Sequence, residues 1–187
     1  CSFCDTKWAN KDDCTCEVMS ADAIYREVKT SGIHNVTVTG GEPLYRTDMD
    51  ILLKKLASID NIYIEIETNG SVDIIPYRNI SDNIAFTMDY KLPYSGMTDR
   101  MCHTNFGQLG IYETDKFVVA DTYELAGSYD IIKNYGLEAK TNIYISPVFG
   151  KIEPKEIVSY MMEHKMNNVN MQLQLHKYIW EPDRKGV

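Results

Sequence analysis

The chain has 187 residues, 44% of them hydrophobic, enough to bury the core of one compact domain and not enough to require a second. Its formal charge of -8 and isoelectric point near 5.0 leave no broad positive field, which excludes a protein that holds nucleic acid through its phosphates and favours a small substrate. Apolar runs such as Phe117-Val118-Val119-Ala120 fall far short of the ~20 residues that span a bilayer, and no charged and apolar leader pattern opens the sequence, so a cytoplasmic setting with no membrane partner is expected.

In chain order, Cys1 and Cys4 come first, with Cys14 and Cys16 close behind and Cys102 alone. An odd, unevenly spaced set of thiols in a reducing compartment points to metal before disulfide. The sequence opens on a cysteine, and the expectation is that a strand and further residues precede it. Residues 21–30 read as a helix with Ser20 as N-cap, and 36–39 as a strand. A helix over 48–57 follows Thr47, with Asp50 three residues on, and a strand over 62–67 comes next. Another strand covers 84–88, after which 91–110, with Pro93, Gly96, Gly107 and Gly110, shows no periodicity and reads as one long irregular loop, functional or disordered. The strand at 116–120 leads into a helix over 122–135 that stops at Gly136. A strand at 141–146 and a helix at 155–164, opened by Pro154, follow. Residues 171–177 alternate strictly, which predicts a last strand with Met171, Leu173 and Leu175 on one face and Gln172, Gln174 and His176 on the other.

Alternating strands and helices without a glycine-rich phosphate loop predict an α/β fold of parallel strands, an open or partial β/α barrel over 1–187 as a single domain. Ligands in such folds sit at the carboxyl ends of the strands, and those ends present Thr39, Glu67 with Asn69, Asp89 with Lys91, and Ser146. For any one of these residues alone, an ordinary polar loop is the commoner account.

Cys1-Ser2-Phe3-Cys4 is a Cys-x-x-Cys that by itself allows a redox pair, half a zinc site or part of an iron-sulfur site. Thr39-Gly40-Gly41-Glu42-Pro43 after one strand and Glu67-Thr68-Asn69-Gly70 after the next narrow the choice. With these motifs the chain resembles the radical S-adenosylmethionine superfamily, and the fold implied is a partial (β/α)6-type radical SAM barrel, mostly parallel, lacking its first strand. In that superfamily a loop of three cysteines holds a 4Fe-4S cluster whose open iron chelates S-adenosylmethionine. Cys1 and Cys4 match the second and third cysteines. Thiolates suit iron, and Gly40 and Gly41 let backbone approach a ligand without a Cβ in the way. The resemblance implies that Glu42 offers a carboxylate to the cofactor's ammonium, and that Asn69, Asp89, Tyr90, Lys91, Ser146, Pro147, Val148 and Phe149 surround the rest of the cofactor.

Within the superfamily the chain most resembles the 7-carboxy-7-deazaguanine synthases of queuosine biosynthesis. Cys4-Asp5-Thr6-Lys7-Trp8, Asp89-Tyr90-Lys91-Leu92-Pro93-Tyr94-Ser95-Gly96, and Leu173-Gln174-Leu175-His176-Lys177 with Trp180-Glu181-Pro182-Asp183-Arg184-Lys185-Gly186-Val187 carry that likeness. It implies Mg2+ on the Thr6 hydroxyl, a hard donor, and a pterin substrate met by Thr39, His176 and the terminal carboxylate of Val187. It also implies a homodimer and a flavodoxin or ferredoxin as electron donor.

The first cluster cysteine has no counterpart here. The spacing of Cys14 and Cys16 does not match the family loop, and Cys102 with His103 forms no metal pattern. His34 and His164 fall at element ends, where capping is the commoner role, and Met161 and Met162 fit helix packing. Two other functions are weighed. A glycyl-radical activase would share the cluster loop and residues 40–43 but not Gln174-Leu175-His176-Lys177. A zinc module on Cys1, Cys4, Cys14 and Cys16 would leave residues 40–43 without a purpose.

Overall fold

A computed structural model describes residues 1–4, 6–10, 15–182 and 184. Six strands, β1 (Asn35–Val38), β2 (Tyr63–Thr68), β3 (Ile84–Tyr90), β4 (Thr114–Val119), β5 (Asn142–Pro147) and β6 (Val169–Met171), form one sheet. Their order in space is their order in sequence, and every neighbouring pair is parallel. The helices are α1 (Ala21–Ser31), α2 (Met49–Ala57), α3 (Ile75–Arg78), α4 (Thr122–Tyr135), α5 (Pro154–Glu163) and α6 (His176–Ile179). Right-handed crossovers between sequentially added strands put the helices on one face, which leaves the other free as the inside of an incomplete barrel.

The two faces follow from side-chain alternation. Ile64, Ile66, Phe86, Met88, Phe117, Val119, Ile143 and Ile145 are fully buried and pack against Leu53 and Leu56 of α2, Leu125 and Ile132 of α4 and Ile157 of α5. On the other face Thr37 stands in register with Glu65, Glu67 with Thr87, and Asp89 with Lys116. Hydroxyls donate across this face to carboxylates: Thr87 to Glu65 at 2.6 Å and Thr39 to Glu67 at 3.2 Å. Such cross-strand pairs make the polar face a connected ladder.

Local signals decide most boundaries. Ser20 accepts from the Ala23 amide at 3.2 Å, and α1 ends on Gly32 in the left-handed conformation. Asp121 caps α4, accepting from Glu124 at 2.9 Å, and Gly136 stops it. Pro154 is the first residue of α5, as expected, helped by a reciprocal pair between Glu153 and Glu156. His164 is the C-cap of that helix.

Three expectations need correction. The helix after Thr47 starts at Met49, with Asp48 at the cap and no side-chain bond there. The strand predicted over 171–177 ends at Met171, and the Gln172 amide makes one last ladder bond to Ile145 at 2.9 Å. His176 opens a helical turn, and Leu175 is 63% exposed, so alternation in sequence did not become alternation between faces. The segment 91–110 is not one open loop. It contains three short 3-10 turns and buries Leu92, Met101, Phe106 and Leu109. Asn105, fully buried, ties it down by donating to Val72 O at 2.9 Å and accepting from Ile74 N at 3.2 Å.

At the amino-terminal ends of the strands, Arg78 pairs with the almost fully buried Glu113 at 2.8 Å, and Glu113 also accepts from Gly110 N at 2.6 Å. Arg78→Met keeps the apolar stem but leaves a buried carboxylate short of one partner. An expected loss of about 2–4 kcal/mol in unfolding free energy, read by urea titration, follows. No helix among the described residues is long and apolar enough to cross a membrane.

Candidate functional site

The carboxyl-end rim of the sheet collects the residues singled out above. After β1 the chain passes Thr39 and turns at Gly40, whose φ of 144° is open to glycine and costly for any other residue. Nothing lies within 4 Å of a Cβ built there, so the turn faces open space. Glu42 then folds back. Its Oε1 accepts from Leu44 N at 3.1 Å and its Oε2 from Asn69 N at 2.7 Å, while the Thr68 hydroxyl donates to both at 2.9 and 3.0 Å. The carboxylate expected to meet a ligand's ammonium is therefore also the tie between the β1 and β2 exits.

Thr68 is the partner the sequence did not single out. It is buried, and its hydroxyl accepts from Gly70 N at 3.1 Å while donating to Glu42. Asn69 closes the turn by accepting from Ser71 N at 2.9 Å. Gly70 has a φ of 74°, and a Cβ there would stand 2.5 Å from Met101 Cε, so the backbone approaches this side chain as only glycine can.

At the β3 exit Asp89 and Lys91 form an ion pair at the rim. Tyr90, expected beside them at the cofactor, turns the other way. It is 4% exposed and packs on Phe106 and Phe117 with ring centroids 5.4 and 5.6 Å away, leaving only its backbone to the rim. The strand period explains this, because neighbours of Asp89 and Lys91 must face the helices. Asp115 stands opposite Met88 on that same helix-covered face, fully buried, with neither carboxylate oxygen hydrogen-bonded. Burial first, and then the charge of Asp89, holds its carboxyl well above the usual carboxylate range. Its sequence context, Glu-Thr-Asp-Lys, gave no sign of burial.

At the end of β5, Ser146, Pro147 and the following Val148 are buried, with Val148 N bonded to Val119 O at 2.8 Å. Phe149 is the exposed member of that stretch. Its ring meets Tyr178 of α6 edge-on at 5.7 Å, which brings the helix opened by His176 to this exit. Val187 lies outside the described residues.

Cys1 and Cys4 are half-buried free thiols on a turn that docks on the loop after β3. Ser2 N donates to Ser95 O at 3.0 Å and Ser2 Oγ to Tyr94 O at 2.5 Å, Phe3 lies parallel to Tyr94, and Lys7 donates to Ser2 O at 2.6 Å. Cys4 Sγ is 3.4 Å from Thr6 Oγ1, so a soft and a hard donor sit side by side. Such a set fits iron at the sulfurs and suits a magnesium ion at the hydroxyl, with two thiolates supplied. Among the described residues no group of three Cys, His, Asp or Glu gathers as a metal site. Cys16 is exposed, Cys102 Sγ lies 3.1 Å from Thr104 Oγ1, and Cys14 lies outside the described residues. The zinc module therefore has no assembled set among the residues described. A cleft of about 400 Å³ lined by Tyr63, Arg78, Tyr112 and Glu113 lies at the opposite ends of the strands and shares none of these groups.

Comparison with known proteins identifies the family. The model of the Radical SAM superfamily matches residues 1–88. The chain is 46% identical, over all of its length and 85% of the relative's, to a 7-carboxy-7-deazaguanine synthase of Clostridium acetobutylicum. It is 34% identical to the one of Chlorobaculum tepidum, over its whole length and 83% of that protein. Among solved structures it resembles the crystal structure of QueE from Escherichia coli with a TM-score of 0.54 at 16% identity, a likeness of fold. That match covers 83% of this chain and 64% of the other.

Proposed function

Because the chain belongs to the 7-carboxy-7-deazaguanine synthase family of radical SAM enzymes, we propose that it contracts the ring of 6-carboxy-5,6,7,8-tetrahydropterin to 7-carboxy-7-deazaguanine with loss of ammonia. The observation that carries this is likeness to a synthase over the whole chain, which a glycyl-radical activase sharing the cluster loop and residues 40–43 would not have. Cluster and S-adenosylmethionine, when bound, supply the 5'-deoxyadenosyl radical that removes hydrogen from C6 of the pterin.

The chain's own residues do the holding. Cys1 and Cys4 would ligate two irons of the 4Fe-4S cluster, and Thr6 would present its hydroxyl to Mg2+. Gly40 and Gly41 offer backbone carbonyls to the methionine ammonium, with Glu42 fixing their turn against Thr68 and Asn69. Asp89 and Lys91 stand near the ribose and carboxylate, with the backbone of Tyr90 between them. Ser146, Pro147 and Val148 would meet the adenine through backbone, and the exposed ring of Phe149 through its face. Thr39, oriented by its bond to Glu67, His176 and Val187 would bind the pterin. The low-potential electron would come from a flavodoxin or ferredoxin, and the assembly would be a homodimer.

Anaerobic reconstitution of the full-length protein, including the residues expected before Cys1, counting of iron and sulfide, and incubation with S-adenosylmethionine and carboxy-tetrahydropterin test the reading. Expected are a 4Fe-4S cluster and formation of carboxydeazaguanine, faster with added Mg2+. Cleavage of S-adenosylmethionine with the pterin untouched would remove the substrate from the proposal, and iron-free protein would remove the reaction altogether.

A further inference from the structure

Glu124 is a buried acid with no part in the site so far. It occupies the third position of α4, 3% exposed, where a glutamate ordinarily reaches back to the amide of its own N-cap. Here it does something else. Oε2 accepts from Ala120 N at 2.8 Å, at the end of the β4 exit, and Oε1 leaves the helix to accept from Tyr94 N at 2.6 Å, in the loop after β3. A buried carboxylate is stable only when its oxygens are bonded, so both loops are held to one rigid helix end. The N-cap task is already met by Asp121.

Tyr94 is where the cysteine turn docks. Its carbonyl and that of Ser95 receive the two hydrogen bonds that Ser2, between Cys1 and Cys4, donates, and its ring lies parallel to Phe3. We propose that Glu124 is a positioning residue for the cluster-binding turn: by gripping the Tyr94 amide it fixes the shelf on which Cys1 and Cys4 are presented, without touching cluster or substrate. This rests on the assignment of those cysteines to the cluster, and the test separates the two claims.

Glu124→Gln in the full chain keeps volume and packing but turns one acceptor into an NH2 facing an amide N–H. In the metal-free protein, hydrogen exchange of Ser2 N and Tyr94 N should quicken about tenfold or more, while Leu56 and Phe117 keep their rates. In anaerobically reconstituted protein the variant should retain iron yet show a shifted midpoint potential and an altered electron paramagnetic resonance spectrum on adding S-adenosylmethionine, which a merely stabilising residue would not produce. Faster exchange at Tyr94 with Ser2 unchanged overturns the positioning role, as does an unchanged spectrum in a variant whose wild type binds the cluster. Wild-type protein that takes up no iron overturns the cluster assignment instead, and the exchange at Ser2 then decides alone whether Glu124 positions the turn.

Discussion

Replacing Cys4 with alanine is expected to strip iron from the reconstituted protein and abolish formation of carboxydeazaguanine while leaving the fold standing. The thiol sits in a docked turn rather than in the core, and its recorded contact is a 3.4 Å approach to the Thr6 hydroxyl. Losing so weak a bond at a half-exposed position should change stability by no more than about 0.5 kcal/mol. Ligation has no such tolerance. A cluster iron without its thiolate must find another donor, and the described residues bring no group of three acids, imidazoles or thiols together. Cys16→Ala and Cys102→Ala serve as controls and should keep iron and turnover. Full iron content in Cys4→Ala would move the cluster away from this turn.

Asp115→Asn is expected to raise stability, and by more as the pH rises. With burial holding the folded carboxyl well above its ordinary value, the sign follows from linkage. Below the unfolded value, about 3.9, both states are protonated and the group is neutral to stability. Above it the unfolded chain ionises while the folded one resists, so stability is lost as pH climbs toward the folded value. Asparagine fits the same space and removes that slope. The gain should grow by up to about 1.4 kcal/mol for each pH unit above the unfolded value, until the folded value is reached. Urea unfolding between pH 4 and pH 8 measures it. Parallel curves for wild type and variant would mean that Asp115 finds a partner in solution that keeps it charged.

Much of the site was legible in sequence because its motifs are contiguous and sit where strands end. Asp89 with Lys91 could be placed at a strand end from the strand pattern, whereas Gly40-Gly41-Glu42 was singled out by resemblance to the family motif. What could not be read depends on which way a side chain faces, or on a partner far along the chain. Tyr90 sits between two rim residues and still points into the core. Thr68 and Glu124 act through bonds spanning 26 and 30 residues, with no local signal. The run 171–177 misled for the opposite reason: its alternation is real, but the pairing with β5 stops at Met171 apart from the single bond from Gln172. Anchors of the segment 91–110, such as Phe106 and Asn105, are isolated residues without a period to betray them.

A sheet whose strands lie side by side in the order they are synthesised has a kinetic consequence. Each new strand needs only the one before it as a template, so the sheet can lengthen as the chain leaves the ribosome, from β1 toward β6, with no strand waiting for a distant partner. Until the next crossover arrives, the newest strand is a bare edge, open to pairing with another chain. The slowest interval should fall between β3 and β4, where a segment of turns without an α-helix must be laid down before Thr114 can meet Thr87. Glu124 is made only after both of the loops it clasps, so the rim acquires its final shape late.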